Sequence, residues 1–364
     1  MVATSGRAIA QGLKSLGHTV TVVDGFADSD TIAATIECKK VKRAQYGLNK
    51  GEVLATVVSL QAETSFDGLF CDAAIESNPD LLDKIHINPV FANSSQTLHK
   101  CKNPNTFFSL LDQHSISYPE TLLPPFSKAE VKNAWLVKEE QSTGGIGVSF
   151  VSDATDLTSD IYLQKKINGI NFSLTFLANE DELFALGFNA LWSEQLSADM
   201  PYAYAGAINQ IKLDSKILEL ALQYAKVMVK AFKLLGLNSI DFICQGDALY
   251  VLEINPRIPA SYELYETKFG EVIGQHIDVC KTGKLPSVKG QSLLRAHAIV
   301  YAPTDIKVSE SMSWPLWTAD RPHSQEVIKQ FEPVCSIFAG GQNTAQVCEM
   351  IKVRKQTILA KLAQ

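Results

Sequence analysis

The stretch DFICQGDALYVLEINPR, residues 241–257, concentrates chemistry more than any other part of the chain: Asp241 and Glu253 lie within it, with Asn255 and Arg257 close behind. Apolar residues flank Gly246-Asp247-Ala248, which predicts a hairpin with strands 240–245 and 249–254. A three-residue loop makes antiparallel partner numbers sum to 494, placing Asp241 opposite Glu253. Like charges opposed on one sheet face destabilise by up to about 1 kcal/mol, so the pair needs a reason. A shared divalent cation is one; two acids facing solvent on an edge hairpin is the other, and the pair alone does not separate them. Side chains alternate along a strand, so Glu253 and Asn255 share a face. Together with Asp241 they make a hard-oxygen set suited to Mg²⁺, with Mn²⁺ as the alternative metal. Arg257, beside that face, can grip a carboxylate or phosphate two-pronged, which favours the metal reading.

A second motif lies upstream. In AWLVKEEQSTGGIGVSFVS a strand Trp135–Lys138 runs into Ser142-Thr143-Gly144-Gly145-Ile146-Gly147, and a strand Val148–Val151 leaves it. Glycines let backbone N–H groups close around phosphate oxygens, although an ordinary Gly-rich hairpin reads the same way. The strand-loop-strand order and the absence of GxxxxGK[ST] exclude a Walker loop. Lys138, at the end of the incoming strand, can reach the same phosphates as a point charge. Ser5-Gly6-Arg7, before the first helix, can hold an anion at a helix N-terminus or be a plain βα turn.

The elements that must carry these residues follow from periodicity. Residues 5–17 predict a helix stopped by Gly17, His18–Asp24 a strand, and Gly68–Cys71 another, which is the alternation of a small parallel α/β lobe. Residues 97–112 read as helical around a Pro104 start, 161–192 as a run of strands in which Phe172, Leu174 and Phe176 alternate with Ser173 and Thr175, and 214–236 as an amphipathic helix ended by Gly236. With 364 residues, 46% hydrophobic and 20% charged, the chain predicts two or three lobes. A net charge of -6 with scattered lysines and arginines argues against nucleic acid as partner. No run approaches a membrane span, and the seven cysteines form no CxxC pair, so neither zinc nor a disulfide framework is expected and a reducing cytoplasm fits.

The order of Lys100, Lys138 with its Gly-rich loop, the strand YLQKKI and an acid twelve residues before Glu-x-Asn-Pro-Arg resembles the ATP-grasp superfamily, over most of the chain. SGRAIAQGLKSLGHTVTVVDGFADSDT resembles the Rossmann-like domain that precedes ATP-grasp, specifically in a group of predicted ATP-dependent carboxylate-amine ligases. The resemblance implies an α/β chain of α+β lobes: a pre-ATP-grasp domain over 1–97, an ATP-grasp core over 98–285 with a lid subdomain over about 126–167, and a β-rich subdomain over 286–364.

It further implies that Lys100 and Lys138 bind ATP phosphates, that Gly144, Gly145 and Gly147 form the lid loop, and that Gln164, Lys165, Lys166 and Ile167 form the adenine hinge, followed by Asn171. Many members carry acids where this chain has Gln164 and Asn171. Asp241, Glu253 and Asn255 match the metal ligands, and Arg257, with Lys138 the catalytic residue expected here, matches the arginine that steadies the transferring phosphate. Tyr204 and Gly206, in the loop 201–207, and Ser261 with Tyr262 are expected at the acceptor pocket, whereas His297 reads as a satisfied sheet histidine and Trp314 and Trp317 as core. The implied reaction joins a small carboxylate to an amine through an acyl phosphate, forming ADP. A ligase joining tyramine to glutamate for a methanofuran-like cofactor is one alternative, and a non-catalytic nucleotide-binding module is another. A carboxylase-type relative is less favoured, since no biotin-carrier sequence occurs in the chain. The expected partners are small-molecule carboxylate and amine substrates, with a homodimer left open and no membrane or nucleic acid.

Overall fold

The computed structural model describes residues 1–126, 135–152, 158–288 and 293–363. Two stretches of the expected lid, 127–134 and 153–157, and the start of the C-terminal stretch at Gln291 lie outside the described residues.

The N-terminal lobe is a parallel sheet wound by helices. Strands Val2–Ala3, Thr21–Asp24 and Glu37–Lys40 pair in parallel, Leu69–Phe70 pairs with Val90–Phe91, and a bridge from Val2 to Cys71 joins the two groups. Val2, Val23, Leu69 and Cys71 are buried together with Val53, Val57 and Leu60 of the helix Lys50–Glu63, whose apolar residues recur at three- and four-residue intervals. The helix Arg7–Ser15 covers the other side through Ile9, Ala10 and Leu13.

The body of the molecule is an eight-stranded antiparallel sheet. Its order is Ala248–Asn255, Leu235–Gln245, Ile170–Asn179, Leu183–Glu194, Ala203–Asn209, Leu294–Tyr301, Pro333–Gly341 and Thr318–Ala319. The period-two pattern decides its faces. Phe172, Leu174 and Phe176 are fully buried against Ala221, Ala225, Met228 and Phe232 of the helix Ser215–Phe232, while Ser173 and Thr175 point the other way. A smaller four-stranded sheet, ordered Thr121–Leu122, Ile161–Lys165, Trp135–Glu139, Val148–Phe150, sits beside it.

Three expectations shift. The long helix ends at Phe232, four residues before Gly236, with Lys233 in the left-handed region (φ 56°); a strand has already begun at Leu235, and Gly236 lies inside it, packed against the His276 ring. The C-terminal strands Leu294–Tyr301 and Pro333–Gly341 continue the central sheet, and the chain then forms the helix Thr344–Leu362, which packs on them through Val347, Ile351 and Ile358. The 241–257 hairpin turns through two residues, Gly246 and Asp247, between the paired Gln245 and Ala248. Gly246 has φ 60°, the positive value that the first position of a tight hairpin turn requires. That register would bring Leu252 opposite Asp241. A bulge at Leu252 adds one residue, and from there Asp241 faces Glu253 and Ser239 faces Asn255.

Candidate active site

One cavity of about 320 Å³ opens between the two sheets, lined by Lys138, Ser142, Thr143, Gly144, Gly145, Gln164, Lys165, Lys166, Ile167, Asn171, Tyr204, Asp241, Glu253, Asn255, Arg257 and Ser261 among others. Fourteen of these sixteen are residues expected at the site, brought together in space from separate parts of the sequence; the strands Trp135–Glu139, Ile161–Lys165, Leu235–Gln245 and Ala248–Asn255 carry Lys138, Gln164, Lys165, Asp241, Glu253 and Asn255.

Its floor is polar because of register. Glu253, Asp241, Ser173, Asn189 and Asn209 stand opposite one another in turn across five strands. Asn189 donates to Ser173 Oγ (3.1 Å) and Thr175 Oγ1 (3.0 Å) and accepts from the Tyr265 hydroxyl (2.7 Å), while the Thr175 and Ser261 hydroxyls are 2.7 Å apart. A buried polar group left unpaired is costly, so this satisfied network makes a stiff support for the acids above it.

Burial, and next to it the facing Glu253, hold the Asp241 carboxyl well above the usual carboxylate range. Lys138, opposite Tyr162 on the neighbouring strand, is held below the ordinary lysine value by burial, with Glu253 and Asp241 acting against that. Two opposed carboxyls form a hard-oxygen pair whose mutual repulsion, when both are ionised, a divalent cation would relieve, so the donor set fits Mg²⁺. Among the described residues no group of three or more His, Cys, Asp or Glu side chains forms a metal cluster. Asn255 is turned otherwise than expected. Its Nδ2 donates to Glu253 Oε1 (3.4 Å) and its Oδ1 accepts from Arg257 Nη2 (3.1 Å), so the amide oxygen faces the guanidinium and the amide nitrogen faces the acids.

Arg257 is held from the N-terminal lobe. Its Nε donates to Glu76 Oε2 (2.9 Å), and Lys102 Nζ lies 3.5 Å from Glu76 Oε1. Burial works against charge on both partners, but Arg257 and Lys102 together bring the Glu76 carboxyl below its ordinary value, and Glu76 raises Arg257. Lys102 Nζ also donates to the Ser142 carbonyl at the start of the Gly-rich loop (3.4 Å). Lys100 does not line the cavity; Lys102 is the lysine of this helix that touches the loop. Leu98 is fully buried, and a helix places residue i+4 above residue i, which turns Lys102 inward and Lys100 away. That signal was present in LHKCKNP. Glu76 has none nearby, because its partners are 26 and 181 residues away.

The Gly-rich loop rests on the strand Ala203–Asn209. Tyr204 N donates to the Gly144 carbonyl (2.8 Å), and a Cβ at Gly145 would collide with the Tyr202 carbonyl, so only glycine permits that approach. Gly147 lies outside the cavity lining, beside the Tyr46 hydroxyl. At the hinge, Gln164 is buried and donates to Thr121 Oγ1 (3.1 Å), Lys165 pairs with Glu120 (3.0 Å), and Lys166 Nζ stands 4.9 Å from the Phe150 ring centre. Gly206 is also outside the lining. The Trp192 indole and the His297 carbonyl occupy the space beside it, and Trp192 itself reaches the cavity. The Tyr204 hydroxyl is 2.7 Å from Nε2 of buried His297, whose value burial lowers to about 4. The Ser5 and Gly6 amides are taken by the chain's own carboxylates: Ser5 N donates to Asp72 (3.1 Å) and Gly6 N to Asp24 (2.7 Å).

Residues 101–261 match the family model described as an ATP-grasp domain. The chain carries an ATP-grasp domain. Solved structures share its fold. A biotin carboxylase from Campylobacter jejuni in complex with β,γ-ATP superposes with TM-score 0.76 at 14% identity, covering 100% of this chain and 94% of that one. An N5-carboxyaminoimidazole ribonucleotide synthetase from Thermotoga maritima gives 0.68 at 15%, covering 99% and 97%, and an L-amino acid ligase from Bacillus licheniformis 0.68 at 14%, covering 98% and 96%. An uncharacterized protein of Methanocaldococcus jannaschii is 26% identical over 180 residues, 49% of this chain, and the match spans 42% of that relative's length. The ATP-grasp domain thus supplies the cavity, and the parallel lobe before it supplies Glu76. Among the described residues no helix is long and apolar enough to cross a membrane.

Proposed function

We propose that the protein is an ADP-forming ligase that activates a small carboxylate as an acyl phosphate and joins it to an amine. The observation that carries this reading is the facing pair Asp241 and Glu253 in one cavity with Lys138 and Arg257, under a Gly-rich loop. Asp241 and Glu253 would hold Mg²⁺ or Mn²⁺, which when bound neutralises phosphate charge. Lys138 and Lys102 would bind phosphate oxygens, and the hinge Gln164–Ile167 the base. The substrate carboxylate attacks the γ-phosphorus of ATP, the P–O bond to ADP breaks, and Arg257 disperses charge on the transferring group. The amine then attacks the acyl carbon, the C–O bond to phosphate breaks, and amide and orthophosphate leave. The loop 142–147, resting on Tyr202 and Tyr204, excludes water from the acyl phosphate.

The test is ADP release from protein, Mg²⁺ and ATP with pooled amino acids, amines and small acids, tyramine with glutamate being one arm. Stimulation that Glu253→Gln or Arg257→Ala abolishes, in variants that remain folded, supports the ligase. A broad pool without stimulation points to a nucleotide-binding module instead.

A further inference from the structure

A second cavity, of about 290 Å³, lies between the N-terminal lobe and the C-terminal strands. Three parallel strands end at it: Ser5 follows Val2–Ala3, Gly25 and Phe26 follow Thr21–Asp24, and Lys40 closes Glu37–Lys40. The crevice outside the carboxyl ends of such strands is where open α/β sheets take ligands. Asp320 and the start of the strand Pro333–Gly341 form the facing wall, and the two sides are fastened together beside it. Ser29 N donates to the Arg321 carbonyl (2.9 Å), and Arg321 N donates to Asp30 Oδ2 (3.0 Å).

The charges around this cavity do not balance. Lys40 pairs with Glu326 (3.0 Å), Arg43 with Glu332, and Arg321 with Asp30. Arg7 divides one guanidinium between Glu263 (2.5 Å) and Asp320 (2.8 Å). Among the described residues Asp28 has no ion-pair partner. It is 4% exposed, and its carboxylate accepts from the Asp30 and Thr31 amides (2.9 Å each) and the Thr31 hydroxyl (2.6 Å). Six carboxylates therefore meet four cations in and behind the lining. Burial, and next to it Asp320, push the Asp28 carboxyl above its ordinary value. Uncompensated buried charge is costly; a ligand cation relieves it, and a phosphate or carboxylate adds to it. The remaining wall is apolar, with Phe26, Ile299, Ile328 and Val334, and the Phe26 ring already carries the Arg43 guanidinium 4.3 Å from its centre.

We propose that this cavity is a binding site for a small primary ammonium compound, whose charged head meets Asp28 and Asp320 and whose apolar body lies against Phe26, Ile299 and Val334. The site stands apart from the nucleotide cavity, with which it shares no lining residue, and it holds whether or not the ligase reading does. Its volume is at the small end for ligand sites, which restricts it to a compact amine.

The test uses benzylamine, benzyl alcohol and benzoate, which share a ring and differ in charge. Calorimetry on the full chain in Mg²⁺ and ADP is expected to show benzylamine binding at least about tenfold more tightly than either counterpart. Asp28→Asn keeps a side-chain oxygen to cap the helix Ser29–Ala34 and removes the charge, while Ile299→Trp fills the cavity. Each variant, shown to be folded by a thermal melt, should weaken benzylamine by about tenfold or more. Hydroxyl-radical footprinting of wild type needs no variant: benzylamine should protect Phe26 and Pro322 and leave Trp192 and Tyr202 of the first cavity as they were. Benzyl alcohol or benzoate binding as well as benzylamine overturns the proposal, and so does the absence of benzylamine binding at millimolar concentration. Unchanged affinity in both variants, or protection at Trp192 in place of Phe26, puts the amine elsewhere and overturns it too. Should a variant fail to fold, the footprint decides.

Discussion

Replacing Asp241 by Asn should make the metal-free protein more stable and the enzyme inactive. Asp241 and Glu253 are directly paired across strands that both sit in the central sheet, and each is only partly shielded from solvent. A like-charge pair in this position costs up to about 1 kcal/mol on an open sheet, and about 4 kcal/mol at 4 Å with an effective dielectric near 20. Partial exposure places the relief toward the lower end, about 1–2 kcal/mol, or a rise of about 2–4 °C in Tm. The pH dependence has a definite sign. Burial and Glu253 raise the folded Asp241 value above that of the unfolded chain. Its contribution is therefore complete below the ordinary carboxylate value of about 4 and is lost as pH rises through the raised folded value. The gap between variant and wild type in EDTA should widen from acid to neutral pH and then level. Mg²⁺ should stabilise wild type by binding the native state and leave Asp241→Asn almost unmoved. The assay is a series of melts in EDTA and in Mg²⁺ across pH. A variant less stable than wild type in EDTA at pH 8, or an equal Mg²⁺ shift in both, would refute the reasoning that the pair exists for a cation.

Three further outcomes follow from the geometry. Lys102→Met should weaken MgADP binding about tenfold or more while Lys100→Met stays within twofold by calorimetry, because only Lys102 touches the loop and Glu76. Glu76→Gln leaves Arg257 and Lys102 without their shared anion and should destabilise the fold by about 3 kcal/mol in urea titration, as breaking buried ion pairs does; an unchanged midpoint would count against the clamp. His276 and His297, each buried and lowered to about 4, contribute stability that is present above the unfolded value near 6.5 and lost as pH falls. The loss should reach about 2 kcal/mol per histidine at pH 5, and a flat urea midpoint between pH 7 and 5 would contradict it.

The hairpin was legible in DFICQGDALYVLEINPR because alternation and a short turn constrain which side chains can meet. The right pair was reached through a different local route, a two-residue turn plus a bulge at Leu252 in place of a three-residue turn. Sum rules in a hairpin count residues, and a bulge adds one as readily as a longer loop does. The alternation of Phe172, Leu174 and Phe176 with Ser173 and Thr175 likewise told which face would be core, since period two leaves no choice once one face is apolar. Lys102 was readable from helix phase, given Leu98 as the inward residue. Glu76 was not readable at all. It acts across the junction between lobes, and no local pattern encodes which residue of one lobe meets which of another. The orientation of Asn255 escaped for a similar reason: it is set by Arg257, itself set by Glu76.

Asp72 and Asp24 occupy the backbone amides of Thr4, Ser5 and Gly6, the place where a parallel lobe of this kind has its most exposed donors. Burial raises both carboxyls, Asp24 to about 7, and the amide bonds oppose that shift, so the loop is filled from within by the chain's own anions. The consequence is one of stoichiometry. With the Ser5 and Gly6 amides taken, the proposed nucleotide site under the loop 142–147 has no counterpart at that turn, and a nucleotide titration should level at one molecule per chain.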